Sequence, residues 1–146
     1  MDKQEYRIAI VASRFNNEIT EGLLAGATEA LRENNITEKN VKIFRVPGAF
    51  EIPLLTSKLC VKGKFDAIIC LGAVIKGQTA HFEYISESVT HALMRLNIKH
   101  RLPISFGILT CYTEEQAISR SMPGIHNKGR EAALAAIEMI ETMRKV

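Results

Sequence analysis

Residues 76–83 combine a glycine turn, polar side chains and a histidine, a pattern that could hold an anion and move protons. A glycine turn that opens a helix leaves backbone amides free, and the helix dipole at that end favours negative charge. The imidazole of His81, in the first helical turn, can transfer protons near neutral pH. The pattern therefore predicts an anion site beside a proton-transfer residue, although a histidine at a helix start is often an ordinary surface residue.

Two other segments could hold a flat, polar ligand. Phe15 could stack on a heterocycle, or it could close the core beneath its loop. Gly48 and Ala49 leave room for a ligand to approach the backbone, where amides at the following helix start can donate hydrogen bonds. Glu51 could accept from an N–H or hydroxyl group of that ligand, or it could simply favour the positive end of its helix. The residue types leave these alternatives open.

Arg120 and Lys128 are candidates for binding a phosphate or a carbonyl oxygen, although a plain surface role fits each of them as well. The four histidines are scattered, and no Cys/His cluster has the spacing of zinc ligands. We therefore expect no catalytic metal.

The elements that must position these residues follow from the apolar pattern. Continuous apolar runs predict strands over residues 7–12, 41–46, 67–75 and 104–109. Helical stripes predict helices over residues 19–34, 49–61, 80–97 and 127–146. A capping-box pattern at Thr113–Gln116 predicts a further helix that leads to Arg120. Gly22 and Gly26 should let the first helix approach the sheet closely.

Alternating strands and helices predict an α/β fold with an open parallel sheet of four strands and helices on both faces. Ligands of such sheets bind beyond the carboxyl ends of the strands. The loops that follow the four strands are the loops that carry the candidate residues.

The composition fits one domain over residues 1–146, with 47% hydrophobic residues and a net charge of +3. The short basic cluster at residues 99–101 is better explained by a solvated turn than by a nucleic-acid patch, and no apolar run could cross a bilayer. Cys60, Cys70 and Cys111 are expected to be buried, reduced thiols of a cytoplasmic protein, with Cys111 as a nucleophile being the minor alternative.

Six segments together resemble the lumazine synthase family, in its order and spacing: residues 14–16, 46–53, 71–83, 106–110, 115–120 and 127–129. The resemblance implies a flavodoxin-like fold and a transferase of riboflavin biosynthesis. It implies condensation of 5-amino-6-(D-ribitylamino)uracil with 3,4-dihydroxy-2-butanone 4-phosphate to 6,7-dimethyl-8-ribityllumazine, with release of phosphate and without a cofactor.

The resemblance also implies a role for each site residue. Phe15 would stack on the pyrimidine, Gln78 and Thr79 would bind phosphate, and His81 would transfer protons. The ring-bearing substrate and its ribityl chain would be held by two segments: Ala49, Phe50 and Glu51, and Ala73, Val74 and Ile75.

A neighbouring subunit would complete each site. In the family it presents the residues that match Phe106, Arg120 and Lys128, where Arg120 would bind phosphate and Lys128 would contact the pyrimidine. Glu131 would support Arg120. The expected assembly is a homopentamer; the resemblance leaves open whether pentamers join into a larger shell, and riboflavin synthase is one candidate partner.

Two other interpretations remain at this point. One is a relative that keeps the assembly surface and binds flavin-like ligands without catalysis, but such a binder would need no proton-transfer residue. The other is a general flavodoxin-like binder of nucleotides or flavins, which is disfavoured because the loop after the first strand is not Ser/Thr-rich and the chain has no Trp.

Overall fold

A four-stranded parallel sheet forms the centre of the molecule in the computed structural model, which describes residues 2–146. The strands are β1 (Ile8–Ser13), β2 (Val41–Val46), β3 (Ala67–Ile75) and β4 (Ile104–Cys111). They lie in the order β2-β1-β3-β4, and every neighbouring pair is parallel. The predicted α/β, flavodoxin-like class with four parallel strands is confirmed.

Helices cover both faces of the sheet. The α-helices are α1 (Asn17–Glu33), α2 (Ile52–Lys62), α3 (His81–His100), α4 (Glu114–Ser121) and α5 (Lys128–Arg144). Three short 3-10 helices lie at Lys3–Glu5, Glu38–Asn40 and Ala49–Glu51. Apolar residues of α1, α4 and α5 pack on one face, and those of α2 and α3 pack on the other.

The central strands are apolar along their whole length because both of their faces are buried. In β1, Ile8 and Ile10 belong to the α1/α5 core, whereas Ala9 and Val11 belong to the α2/α3 core. A strand covered on both sides needs apolar residues at consecutive positions rather than at alternate ones. This burial explains why continuous runs were the correct signal for these strands.

The strand order creates one crevice at the carboxyl edge of the sheet. The chain passes from β1 to β2 on one side, and then crosses back to β3 on the other side. Ligands of open parallel sheets bind where the strand order reverses in this way. The loops after β1 and β3 flank this point.

The structure extends two of the predicted elements at their carboxyl ends. Strand β4 continues to Cys111, because Cys111 pairs with Ile75 at the end of β3. Helix α3 continues to His100 and ends where Arg101 adopts a left-handed conformation, with φ of 50°. The basic cluster at residues 99–101 therefore lies partly inside the helix.

The expected role of Gly22 and Gly26 is wrong, because these glycines face the α4–α5 connection and not the sheet. A Cβ on Gly22 would lie 2.4 Å from the Ser121 carbonyl oxygen. A Cβ on Gly26 would lie 2.1 Å from the side-chain oxygen of Asn127. Glycine is required at both positions because another segment packs closely against α1, but that segment contains Ser121 and Asn127 and is not the sheet.

Residues 3–6 pack against later segments of the chain. The Gln4 carbonyl accepts a hydrogen bond of 2.7 Å from the Asn40 side chain, and Tyr6 is buried beneath the Arg144 guanidinium. Lys3 forms an ion pair of 3.2 Å with Glu141. Among the helices of residues 2–146, none has the length and apolar character that a membrane crossing requires.

Candidate active site

The loop after β1 is hydrogen-bonded to the end of β2 and the residue after it, and to β3. The Arg14 amide donates to the Val46 carbonyl at 2.8 Å, and the Phe15 amide donates to the Pro47 carbonyl at 2.9 Å. On the other side, the Asn16 side chain donates to the Ala73 carbonyl at 3.1 Å. These bonds bring the segments after β1 and β2 and the end of β3 together at the crevice.

Two aromatic rings at this edge are open to solvent. The side chain of Phe15 is 71% exposed and that of Phe50 is 61% exposed. The alternative in which Phe15 closes the core is therefore excluded. Its ring is free to stack on a flat ligand, because an aromatic face outside the core has its contact surface available.

Glu51 is engaged in its own turn. Its Oε1 accepts a hydrogen bond of 2.9 Å from the Gly48 amide, which closes the 3-10 turn Ala49–Glu51. This contact supports the local, helix-capping interpretation of the carboxylate. Recognition of a ligand by Glu51 stays a prediction.

Ala49 and the last residues of β3 form the floor of the crevice. The side chains of Ala49, Ala73 and Val74 are buried, and that of Ile75 is partly buried. Because these side chains point into packed surroundings, a ligand here would meet mainly backbone groups. Backbone amides and carbonyls at a strand end are strong hydrogen-bonding groups and suit a polar ring or a sugar-like chain.

The predicted anion turn lies between β3 and α3. Gln78, Thr79 and His81 are exposed, and the Thr79 hydroxyl accepts a bond of 3.4 Å from the His81 amide. The N-cap residue Ala80 makes no side-chain capping bond. The first turn of α3 therefore keeps unsatisfied amides that can bind an anion.

The imidazole of His81 lies at the first residue of α3, next to that turn. It makes no hydrogen bond to any part of the chain that the structure describes. A free imidazole beside an anion site can accept or donate a proton as a bound ligand requires. The sequence-predicted neighbourhood of residues 77–81 is thus an open, polar turn with an available histidine.

Lys76 and Tyr112 flank the turn, and the sequence interpretation assigned neither of them a role. The Lys76 ammonium lies 3.6 Å from a Glu83 carboxylate oxygen and 5.7 Å from the centre of the Tyr112 ring. The Tyr112 ring also contacts Phe82, with ring centres 5.9 Å apart. Only the position of Lys76 directly before Gly77 could have signalled a cation at this place.

Arg120 lies in the last turn of α4. Its guanidinium donates to the Gln116 carbonyl at 3.0 Å, and it forms no ion pair with an acidic residue between positions 2 and 146. The predicted Thr113 cap is confirmed, because its hydroxyl accepts from the Gln116 amide at 3.2 Å. The Gln116 side chain reaches back as expected, but to the Tyr112 amide at 2.9 Å.

Phe106, Lys128 and Glu131 lie together elsewhere, around a cavity beside the edge strand β4. Phe106 is opposite Cys70, five residues before Ile75. At the rise of a β-strand this corresponds to roughly 16 Å along the sheet from its carboxyl end. One chain therefore does not bring these three residues onto the crevice that Phe15 flanks.

Glu131 also differs from its expected contact. Its carboxylate pairs with the Lys128 ammonium at 2.8 Å and not with Arg120. The two residues lie three positions apart on α5, so the pair forms along one face of the helix. Within one chain the Glu131 carboxylate therefore contacts Lys128, and its support of Arg120 stays a prediction.

The cysteines are buried, as predicted, and this placement disfavours nucleophilic chemistry. Burial raises the pKa of the Cys70 thiol to about 12, and burial likewise raises the pKa of Cys111. A thiol held neutral is a poor nucleophile. Within residues 2–146, no group of three or more His, Cys, Asp or Glu residues is arranged to bind a metal ion.

Comparison with known proteins identifies relatives along nearly the whole chain. The sequence model of the 6,7-dimethyl-8-ribityllumazine synthase family matches residues 5–144. A protein of Caulobacter vibrioides described as 6,7-dimethyl-8-ribityllumazine synthase 1 is 46% identical over 140 residues. That alignment covers 96% of this chain and 92% of the relative.

Proposed function

Because the chain belongs to the 6,7-dimethyl-8-ribityllumazine synthase family, we propose that it makes this lumazine at the crevice beyond the carboxyl ends of β1 and β3. It is a transferase of riboflavin biosynthesis that condenses 5-amino-6-(D-ribitylamino)uracil with 3,4-dihydroxy-2-butanone 4-phosphate and releases phosphate. The observation that carries the assignment of the site is the start of α3, where the N-cap residue Ala80 supplies no side-chain cap and Thr79 and His81 are exposed.

The pyrimidine substrate is placed against Phe15. The exposed ring of Phe15 supplies a stacking face, and the fastened loop holds that ring over the crevice. Phe50 and the backbone around Ala49 and Ala73 offer apolar surface and hydrogen bonds to the ring and its ribityl chain. Since the β1 loop is tied to β2 and β3, this face is organised before the substrate arrives.

The phosphate substrate is placed at the turn before α3. Gln78, Thr79 and the first amides of α3 supply donors, and the helix dipole adds a favourable field. Lys76 places an ammonium group near this position, where it also pairs with Glu83 at 3.6 Å. The same donors hold the phosphate when it departs as a free anion.

His81 serves as the proton-transfer group. The amine of the uracil attacks the ketone and forms an imine with loss of water, phosphate is eliminated, and the second nitrogen closes the ring with loss of a second water. Each step moves protons between nitrogen, carbon and oxygen, and His81 is within the first turn of the helix that binds the phosphate. No electrons are exchanged with an outside group, so the chemistry needs no cofactor.

The site is shared between two copies of the chain in a homopentamer. Phe106, Arg120 and Lys128 of a neighbouring subunit complete the crevice, with Arg120 at the phosphate and Lys128 at the pyrimidine. This proposal is supported by the separation of roughly 16 Å between Phe106 and the end of β3. It is also supported by the exposure of Phe15 and Phe50, which nothing covers within the described residues of one chain.

A catalytically silent relative that only binds flavin-like ligands is the second candidate. The free imidazole of His81 and the unpaired Arg120 favour catalysis, because a binder would need no proton transfer. Location in the cytoplasm and association with riboflavin synthase are expectations that go with the enzyme.

The test is to mix the purified protein with both substrates and to follow lumazine fluorescence together with released phosphate. We expect one phosphate for each lumazine formed, well above the spontaneous rate, and no product when either substrate is left out. Binding of riboflavin or of substrate analogues without accelerated lumazine formation would show instead that the protein is a binder.

A further inference from the structure

A single buried amide lies between the two segments that carry Arg120 and Lys128. Asn127 directly precedes Lys128, and its side chain is one of few polar groups in the core, at 1% exposure. Its Oδ1 accepts a hydrogen bond of 3.0 Å from the Arg130 amide and so caps the start of α5. An acceptor at this position is common at helix starts.

The other end of the same side chain binds three carbonyl groups. The Asn127 Nδ2 donates to Ser121 at 3.1 Å and to Met122 at 3.0 Å, directly after Arg120. It also donates to Gly22 of α1 at 3.0 Å. One amide group therefore joins the end of α4, the start of α5 and the middle of α1.

Helix α1 is shaped to admit this amide. A Cβ on Gly26 would lie 2.1 Å from the Asn127 Oδ1, and a Cβ on Gly22 would lie 2.4 Å from the Ser121 carbonyl oxygen. Either side chain would push the connection away from α1. The close packing at Gly22 and Gly26 and the hydrogen bonds of Asn127 therefore both hold the connection between α4 and α5, residues 122–127, against α1.

Capping alone does not explain an asparagine here. Ser or Asp would cap α5 about as well, but neither supplies the NH2 group that the three carbonyls use. A carboxylate would also place negative charge among carbonyl oxygens in a buried position, which is unfavourable. The donor end of the side chain therefore has a role of its own.

We propose that Asn127 is a positioning residue that fixes the separation of Arg120 and Lys128, the two cations that one chain presents to its neighbour's site. The connection between them contains Pro123 and Gly124, and Gly124 has a φ of 126°. Among residues 2–146, the Asn127 side chain is the only one that hydrogen-bonds to α1, to the end of α4 and to the start of α5. This inference rests on the proposed function, and in particular on the roles of the two cations.

The test compares Asn127→Ser with the wild type. Serine keeps a capping oxygen but cannot reach three carbonyls, so the two cations lose their fixed spacing. We expect the KM for each substrate to rise about tenfold, while kcat stays within about threefold. Asn40→Ser is the matched control, because its side-chain amide also donates to a distant carbonyl, that of Gln4, far from both cations.

Gly22→Ala tests the packing of the end of α4 against α1 by changing α1 in place of Asn127. Alanine favours the helix but forces the Ser121 carbonyl outward, so we expect a raised KM for the phosphate substrate, which Arg120 binds, and a smaller change for the pyrimidine. Sedimentation of both variants ensures that only assembled protein is compared.

Wild-type KM values in either assembled variant would overturn the inference. So would a wild-type KM in Gly22→Ala if Asn127→Ser failed to fold. A wild-type protein that forms no lumazine would instead refute the proposed function, so the two failures can be told apart.

Discussion

His81 presents an exposed imidazole at the start of α3, where an anion can also bind. At this position His81 can transfer protons while contributing little to the binding of the pyrimidine. Arg120 lies on another element, and its guanidinium has no acidic partner in the described chain, so it is suited to binding phosphate and not to transferring protons. Different kinetic constants should therefore respond to the two residues.

Replacing His81 with alanine should lower kcat roughly a hundredfold, the lower end of what general acid–base catalysis contributes. The KM for the pyrimidine should change less than about threefold, because Phe15 and not His81 supplies its stacking face. Steady-state kinetics measures both constants. His91→Ala, an exposed histidine on the same helix, should behave like the wild type; equal losses in both variants would remove His81 from its role.

Replacing Arg120 with alanine should raise the KM for the phosphate substrate about tenfold or more, since charge-assisted hydrogen bonds to phosphate are lost. The KM for the pyrimidine should change little. Initial rates at varied concentrations of each substrate separate the two effects, with Arg95→Ala on α3 as the control. An unchanged KM for the phosphate substrate would contradict the assignment.

Cys70 makes the stability of the fold depend on pH in the alkaline range. Burial raises the pKa of its thiol from an ordinary value near 9.0 to about 12, so the unfolded chain releases this proton at lower pH than the folded chain does. The contribution to stability is complete below pH 9 and is lost as the pH rises towards 12.

Urea unfolding should therefore show a loss of about 2 kcal/mol between pH 8.5 and pH 10.5 that is absent in Cys70→Ala. The difference between the two proteins at each pH isolates this group from lysines and tyrosines that titrate in the same range. Parallel curves for the two proteins would contradict the effect of burial.

At the scale of elements, the short helix α4 depends on its cap. The hydroxyl of Thr113 accepts from the Gln116 amide, and the helix has only eight residues with which to stabilise itself. Thr113→Ala should lower the free energy of unfolding by about 1 kcal/mol. Thr90→Ala, which removes an exposed hydroxyl inside α3, should cost less; equal losses measured by denaturant unfolding would show that the cap is not important.

The strands and helices could largely be predicted from the sequence because their burial is periodic. The continuous run at residues 67–75 corresponds to β3 with the same bounds, since both faces of this strand are buried. Strand β4 was predicted two residues too short, because its end is set by pairing with β3 and not by its own residues. Gly22 and Gly26 were assigned the wrong partner for a similar reason: small residues predict a close approach but not what approaches.

The site could be predicted in part. The exposed turn before α3 follows from glycine and polar residues next to a helix start, which is a local signal. The tertiary contacts of Asn127, Lys76 and Tyr112 are not local, so no spacing in the sequence indicates them. The pairing of Glu131 with Lys128 follows a local signal, three positions along α5, whereas the contact of Glu131 with Arg120 was implied only by the family resemblance.

At the scale of the whole molecule, many large apolar side chains are exposed on the helices, among them Leu54, Val61, Tyr84, Met94 and Ile98. Soluble monomers rarely leave much apolar surface open in this way. This exposure favours an oligomer, and the proposed pentamer predicts a mass of five 16.3 kDa chains, about 80 kDa, or a multiple of it, in sedimentation equilibrium. A stable, fully active monomer would contradict the pentamer.

The sharing of each site between two chains is tested most directly by mixing two impaired variants and measuring turnover at a phosphate-substrate concentration well below its KM, where both substitutions lower activity. His81→Ala and Arg120→Ala proteins are unfolded together in equal amounts and refolded, so that subunits combine at random. If His81 and Arg120 of one site come from different chains, half of the sites keep His81 and half keep Arg120, independently of each other. A quarter of the sites then keep both residues, so about a quarter of the wild-type activity should return. If mixed assemblies form but their activity is no higher than the average of the two separate variants, both residues belong to one chain and the account of a shared site is wrong.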